Sequence, residues 1–289
     1  VTRFLDLRAS AVGGDLASSV AIARAGTIRD YQSLDVRTLL AEVQGRHVLI
    51  GTHGFNVDRQ SGIACLANWE GLLLLEPQSV FVGLLWPGDS VWAHGLDYPE
   101  EPQVANRAGH MLAAFLDANF MGAASISFVS HSLGARVILE TVSQMTLPVR
   151  GTTLMAGAID DNCLATEFKA AASKIGNISV LASAKDQVLS SIFPLGNFFA
   201  GIITEGHPWW RAALGHRGPA RPWPAHFRAP FQLPDDWDFG HGDYLRIDGG
   251  SRVLIPVPAD VPPQGTPPPA HAAQGWQEAW SAAFARTRF

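Results

Sequence analysis

The chain is 289 residues long, 47% hydrophobic and 16% charged, which is too apolar for a disordered polymer and long enough to bury a substantial core. A formal net charge of -5, with no long Lys/Arg run, sets nucleic-acid binding aside. The only two cysteines, Cys65 and Cys163, are too few for a disulfide framework and lack metal-site spacing, so buried free thiols are expected.

In chain order, residues 1–10 mix Arg and Asp among apolar residues and hold no signal-peptide core, which favours a cytoplasmic location. No element is assigned before His47. Short apolar runs then alternate with helical stretches. Strands are predicted at His47–Thr52, Ser79–Leu85, and residues 125–129, 152–159 and 178–183. They are continuous rather than alternating, as suits a parallel sheet covered on both faces. Helices are predicted at 58–74, at 104–119 with Met111, Leu112, Phe115 and Leu116 on one face, and at 133–145 with Val137, Ile138 and Val142. The alternation predicts an α/β fold with a mostly parallel central sheet flanked by helices.

Two regions break this rhythm. Residues 190–236 are irregular and rich in aromatics, including Phe198, Phe199, Trp209, Trp210, Trp223 and Phe227. They are expected to form a cap-like insertion near one end of the sheet. Contact with a lipid surface is the competing use of those rings, beside the plainer one of buried core. A run at 187–204 is broken by Pro194, Gly196 and Asn197, which argues against a membrane span. Residues 256–269 form a proline-rich connector. Beyond it Trp276, Trp280 and Phe284 recur every fourth residue, and a terminal helix at 275–289 is expected to pack back onto one domain of residues 1–289.

The chemistry is carried by Phe128-Val129-Ser130-His131-Ser132-Leu133-Gly134-Ala135. An apolar strand runs into a turn of small residues, and a helix follows. That elbow holds a serine oxygen clear of the backbone, so Ser132 is the candidate nucleophile. Ser130 stands where the elbow usually has its first glycine. The Leu133 amide, next in line, is one candidate oxyanion donor. The other is the amide of Phe55, in His53-Gly54-Phe55-Asn56 at the end of an earlier strand. The acid should follow a later strand: Asp186 does, with Asp160 and Asp161 as rivals. The base lies further on, among His207, His216, His226, His241 and His271. His241 is preferred because Gly240 and Gly242 let it project from a loop. Phe55, Trp86 and His131 are the candidate substrate contacts, His131 being excluded as the base because it adjoins the nucleophile.

These residues resemble the α/β hydrolases of the DUF900 group, a lipase- and esterase-like set. Four segments match that pattern in order: HGFN at 53–56, LLWPGDS at 84–90, VSHSLGA at 129–135 and SAKDQVL at 183–189. FGHGDYL at 239–245 would be the closing histidine segment, with Gly242 where a polar neighbour is usual. The serine usual before Trp-Pro is replaced by Leu85. The resemblance implies an α/β-hydrolase fold and hydrolysis of small-molecule carboxylic esters by Ser132, Asp186 and His241, without metal or cofactor. An acyltransferase, thioesterase or amidase with the same three residues is the nearest alternative, and a binding module without turnover the more distant one.

Overall fold

The computed structural model describes residues 1–73, 75, 77–89, 101–192, 211–227, 231–233, 235 and 239–245. The strands are β1 (Thr2–Arg8), β2 (Leu16–Ala25), β3 (Gln32–Ser33), β4 (His47–Thr52), β5 (Ser79–Leu85), β6 (Ser125–His131), β7 (Val149–Met155), β8 (Ile178–Ala182) and β9 (Phe231–Gln232). They form one sheet in the order β3-β2-β1-β5-β4-β6-β7-β8-β9. From β1 to β9 every neighbouring pair is parallel, and only the β1–β2 and β2–β3 pairs are antiparallel. The helices are α1 (Val36–Val43), α2 (Arg59–Leu72), α3 (Glu101–Asn119), α4 (Gly134–Gln144), α5 (Lys169–Lys174) and α6 (Leu214–Arg217). None of the described helices is long and apolar enough to cross a membrane. This is the α/β-hydrolase fold.

The parallel strands follow from their composition. The β4 run HVLIGT is buried from Val48 onward, as a strand covered on both faces must be. Its last residues show how the two faces are filled. Thr52 Cγ2 lies where a Cβ on Gly134 of α4 would come within 2.9 Å, while the His53 ring stands beside Gly62 of α2. Successive residues point to opposite faces, so α2 and α4 cover opposite sides of the sheet. The α2 start is fixed by Asp58, whose carboxylate accepts from the Ser61 N–H, a side-chain cap for an orphan helix donor.

The chain leaves β4 for β5 on one side and later enters β6 on the other. Strand order therefore reverses at β4. At such a point the loops after the two adjacent strands part toward opposite faces and leave a crevice at the carboxyl ends of the strands.

Two expectations need correction. The N-terminal strands β1 to β3 were not anticipated: charges interrupt the apolar run of TRFLDLR, yet Asp6 and Arg8 are buried with partners. The strand expected at 152–159 is Val149–Met155. Its apolar run continues because Ala158 and Ile159 are buried in a loop, after Ala156 turns the chain at φ 46°. The 190–236 region, expected as a cap-like insertion, is described only at 211–227, 231–233 and 235. It passes Ala213 and Leu214 beside the end of β7, reaches Phe227 at the start of β8, and returns as β9. It acts there as the long connection that a parallel strand pair requires. Residues 193–210 and 246–289, which include the other expected aromatics and the terminal helix, lie outside the described residues. Cys65 and Cys163 are free thiols, the second buried.

Candidate active site

Ser132 sits one residue past β6 at φ 52°, a left-handed conformation that a non-glycine residue adopts only at a cost. The Ser132 N–H donates to the Met155 carbonyl at the end of β7 (3.0 Å), and the Ala135 N–H donates back to the Ser132 carbonyl (3.1 Å). The turn is thus clamped to the neighbouring strand on one side and to the first turn of α4 on the other. Ser130, in place of the usual glycine, is fully buried. The Cβ that the usual residue lacks is therefore accommodated.

Asp186 follows β8 and has no exposed surface. Its Oδ1 accepts from the Leu189 N–H (3.0 Å), and its Oδ2 lies 2.8 Å from His241 Nδ1. A carboxylate only accepts, so Nδ1 carries the hydrogen and Nε2 is left as an acceptor. That Nε2 is 2.9 Å from Ser132 Oγ. Three side chains more than fifty residues apart in sequence thus form one chain of hydrogen bonds, Asp186 to His241 to Ser132. His241 sits on a turn closed by Asp243, whose Oδ2 accepts from the Gly240 N–H at 2.7 Å. Ser183 Oγ donates to the Phe239 carbonyl (2.6 Å), so the loop of Asp186 also holds the loop of His241.

The rivals stand elsewhere. Asp161 pairs with Arg211 at 2.9 Å. His216 Nδ1 contacts the Ser183 carbonyl at 3.2 Å, and the His226 carbonyl accepts from the Ile178 N–H at the far end of β8. His207 and His271 lie outside the described residues.

The loop after β4 rests directly on the Ser132 turn. A Cβ on Gly54 would stand 2.7 Å from Ser132 Cβ, and one on Gly134 would stand 2.5 Å from the His53 carbonyl oxygen. Glycine at both positions is what allows the two loops to meet. Each peptide of the HGFN loop is oriented by a neighbour. Trp86 Nε1–H donates to the His53 carbonyl (3.0 Å), the His53 Nδ1–H donates to the Gly54 carbonyl (2.9 Å), and the Asn56 N–H donates to the Gly88 carbonyl. In a trans peptide the N–H points opposite to the C=O. Fixing the Gly54 carbonyl therefore also fixes the direction of the Phe55 N–H. Leu133 lies at the N-terminal turn of α4, where backbone N–H groups lack intrahelical acceptors.

Two expected substrate contacts have other work here. Trp86 has no exposed surface: it stacks on His53 with ring centroids 5.8 Å apart and supports the loop from beneath. His131 is buried too, with its Nε2 at 2.7 Å from the His241 carbonyl oxygen. Phe55 is half-buried and packs against the core. His53 and His131 are both neutral rings, since burial pushes their pKa values down to about 4 and about 3.

A buried ion pair not anticipated as part of the site lies behind this loop. Arg8 donates to Asp89, to the carbonyls of Trp86 (2.9 Å) and Val57 (3.1 Å), and to those of Ala11 and Gly13. Asp89 in turn accepts from the Gly13 N–H at 3.0 Å. The Asp of LLWPGDS thus joins the N-terminal segment to the loops after β4 and β5. The sequence signal was an acidic residue in the short turn after an otherwise apolar strand, without a visible partner. Among the described residues no three His, Cys, Asp or Glu side chains are grouped to hold a metal ion. A cavity of about 290 Å³ between α5 and the Pro222–His226 segment is lined by none of Ser132, Asp186, His241 or the HGFN loop.

A family model described as an alpha/beta hydrolase of unknown function, DUF900, matches residues 29–193. The chain belongs to the DUF900 family. The match takes in the HGFN loop, Ser132 and Asp186, while His241 and the Arg8 strand lie beyond its ends. Among solved structures, this DUF900 chain is similar to a predicted CIB-like hydrolase from Thermoplasma acidophilum, at 13% identity over 80% of this chain and 87% of that one, with a TM-score of 0.40. It is also similar to the esterase PE8, at 17% identity over 68% of this chain and 86% of that one, with a TM-score of 0.37. No curated protein matches the chain.

Proposed function

We propose that this DUF900 chain is a serine hydrolase that cleaves carboxylic esters through an acyl-serine intermediate. The observation that carries the reading is the 2.9 Å contact between His241 Nε2 and Ser132 Oγ, with His241 Nδ1 held at 2.8 Å by a fully buried Asp186. Serine is a weak nucleophile unless a base takes its proton as it attacks. His241 Nε2 is within reach of that proton, and Asp186 keeps the imidazole in the one tautomer that can accept it.

Ser132 Oγ adds to the ester carbonyl carbon while its proton passes to His241 Nε2. The carbonyl oxygen becomes an oxyanion facing the Phe55 and Leu133 amides. When the tetrahedral adduct collapses, the C–O bond to the alcohol breaks and His241 returns its proton to the departing oxygen. Water then repeats the sequence on the acyl-serine and releases the acid. The imidazolium formed in each half is stabilised by the Asp186 carboxylate, which stays ionised.

The test is labelling with a fluorophosphonate probe together with turnover of nitrophenyl esters of increasing acyl length. Ser132 is expected to be the labelled residue, and Ser132→Ala is expected to lose both labelling and turnover while melting like the parent chain. Undiminished turnover by Ser132→Ala would reject the reading. A wild-type chain that binds esters without labelling or cleaving them would make it a binding module.

A further inference from the structure

We propose that His131 is a positioning residue that sets the reach of His241 to Ser132 by bracketing the main chain of the base against the strand of the nucleophile. Its kinetic consequence rests on the ester-hydrolase reading, but its geometry does not. His131 ends β6, one residue before Ser132. Its Nε2 lies 2.7 Å from the His241 carbonyl oxygen, and the two rings pack with centroids 4.8 Å apart. A carbonyl only accepts, so His131 Nε2 carries the hydrogen and Nδ1 is bare. Nδ1 faces the other loop of the site, where a Cβ on Gly54 would come within 3.1 Å of it. Tyr244 packs on the same ring at 6.1 Å and is itself held edge-on by Phe239. One buried imidazole therefore touches the base loop and the HGFN loop and belongs to the nucleophile strand.

Gly240 and Asp243 bond within the turn, and the Phe239 carbonyl accepts from Ser183. The bond from His131 runs from β6 to the main chain of His241, and so ties the backbone of the base to the strand of the nucleophile. Its chemistry suits that place. His241 becomes a cation during the reaction, so a second cation at ring-contact distance would oppose it, and a carboxylate would compete with Asp186 for it. A neutral donor avoids both, and burial together with the neighbouring His241 keeps His131 neutral, its pKa pressed down to about 3. Direct contact with substrate is a poor alternative, because the ring is buried and its Nε2 is already committed.

The experiment compares His131→Leu with His131→Gln, whose amide N–H can take the place of Nε2–H. A slip of the base by about 1 Å costs on the order of 100-fold, so His131→Leu should lower kcat by about that factor with KM changed less than about twofold. His131→Gln should recover about a tenth or more of the wild-type kcat, and fluorophosphonate labelling rates should follow the same order. A wild-type kcat in His131→Leu, or a Gln variant no better than Leu when both melt cooperatively, overturns the proposal. If His131→Leu does not fold, 15N NMR of the wild-type ring decides. A neutral Nε2–H tautomer held from about pH 5 to about pH 9 supports the bracket, and an Nδ1–H tautomer or a titration in that range overturns it. Failure of the hydrolase reading looks different, namely a wild-type chain with neither turnover nor labelling, and the same NMR measurement then still judges the bracket.

Discussion

At the scale of single residues, the site depends on atoms that are absent as much as on those present. Gly54 has no Cβ, and a methyl group there would stand 2.7 Å from Ser132 Cβ and 3.1 Å from His131 Nδ1. None of those neighbours can retreat cheaply, because Ser132 is held at φ 52° and its N–H is tied to β7. Gly54→Ala should therefore push the HGFN loop off the elbow. Overpacking of this kind costs about 1–3 kcal/mol of stability, and misplacing the oxyanion donors should cost kcat about 100-fold. Chemical denaturation and steady-state kinetics on the same variant check both, and unchanged kcat would mean that the loop does not serve the oxyanion. Asp186 is the complementary case. Asp186→Asn keeps the shape but removes the acceptor that selects the Nδ1–H tautomer of His241, so kcat should fall by about 10⁴-fold while the melting temperature changes little. A fall smaller than about tenfold would show that the tautomer is set by another group.

Among the elements, the sheet places the chemistry and a buried ion pair secures it. The loops after β4 and β6 meet because strand order reverses at β4; the parallel strands were legible from continuous apolar runs alternating with helices, their order was not. Nor was the N-terminal edge legible. Arg3, Asp6 and Arg8 make β1 look amphipathic, and only the folded partners explain them: Glu42 for Arg3, Tyr31 and Arg59 for Asp6, and Asp89 for Arg8. A sequence names a charge but not the partner that lets it be buried. The same blindness made Trp86 look like pocket lining, when its indole N–H is spent on the His53 carbonyl. For Arg8 and Asp89 the physical expectation is asymmetric. Removing one partner leaves a buried charge unpaired, whereas removing both does not. Asp89→Ala should thus cost about 3–5 kcal/mol in urea denaturation, and Arg8→Met with Asp89→Leu should recover much of it. Equal losses in the single and double variants would show that the pair's bonds to Val57, Trp86 and Gly13, rather than its charge balance, are what matter.

For the whole molecule, the residues most readable in sequence were those whose spacing is imposed by chemistry. Ser132, Asp186 and His241 were chosen by chain order and loop context, and the fold sets His241 within hydrogen-bond distance of both others. The supporting histidines were ambiguous in sequence, because a ring buried for its shape and donor looks the same as one exposed for its base. Their burial has a global consequence. His53 and His131 take up protons in the unfolded chain near the ordinary value of 6.5, but in the folded chain only near 4 and near 3. Below about pH 6.5 the unfolded state therefore binds more protons than the folded one, and stability falls as pH falls. The loss should approach about 1.4 kcal/mol per pH unit for each ring, two rings acting until His53 titrates near 4 and His131 alone continuing toward 3. Asp30 and Asp58, held below their ordinary value chiefly by backbone N–H donors, add their share only in the more acidic range below about 3.8. Urea unfolding at about pH 7, 5.5 and 4.5 should show the decline, and His131→Gln, which removes one titrating ring, should roughly halve its slope. Stability that stays level over that interval would mean that the two imidazoles are reached by solvent in the folded chain, and that the rigid frame around Ser132 opens far more readily than its packing implies.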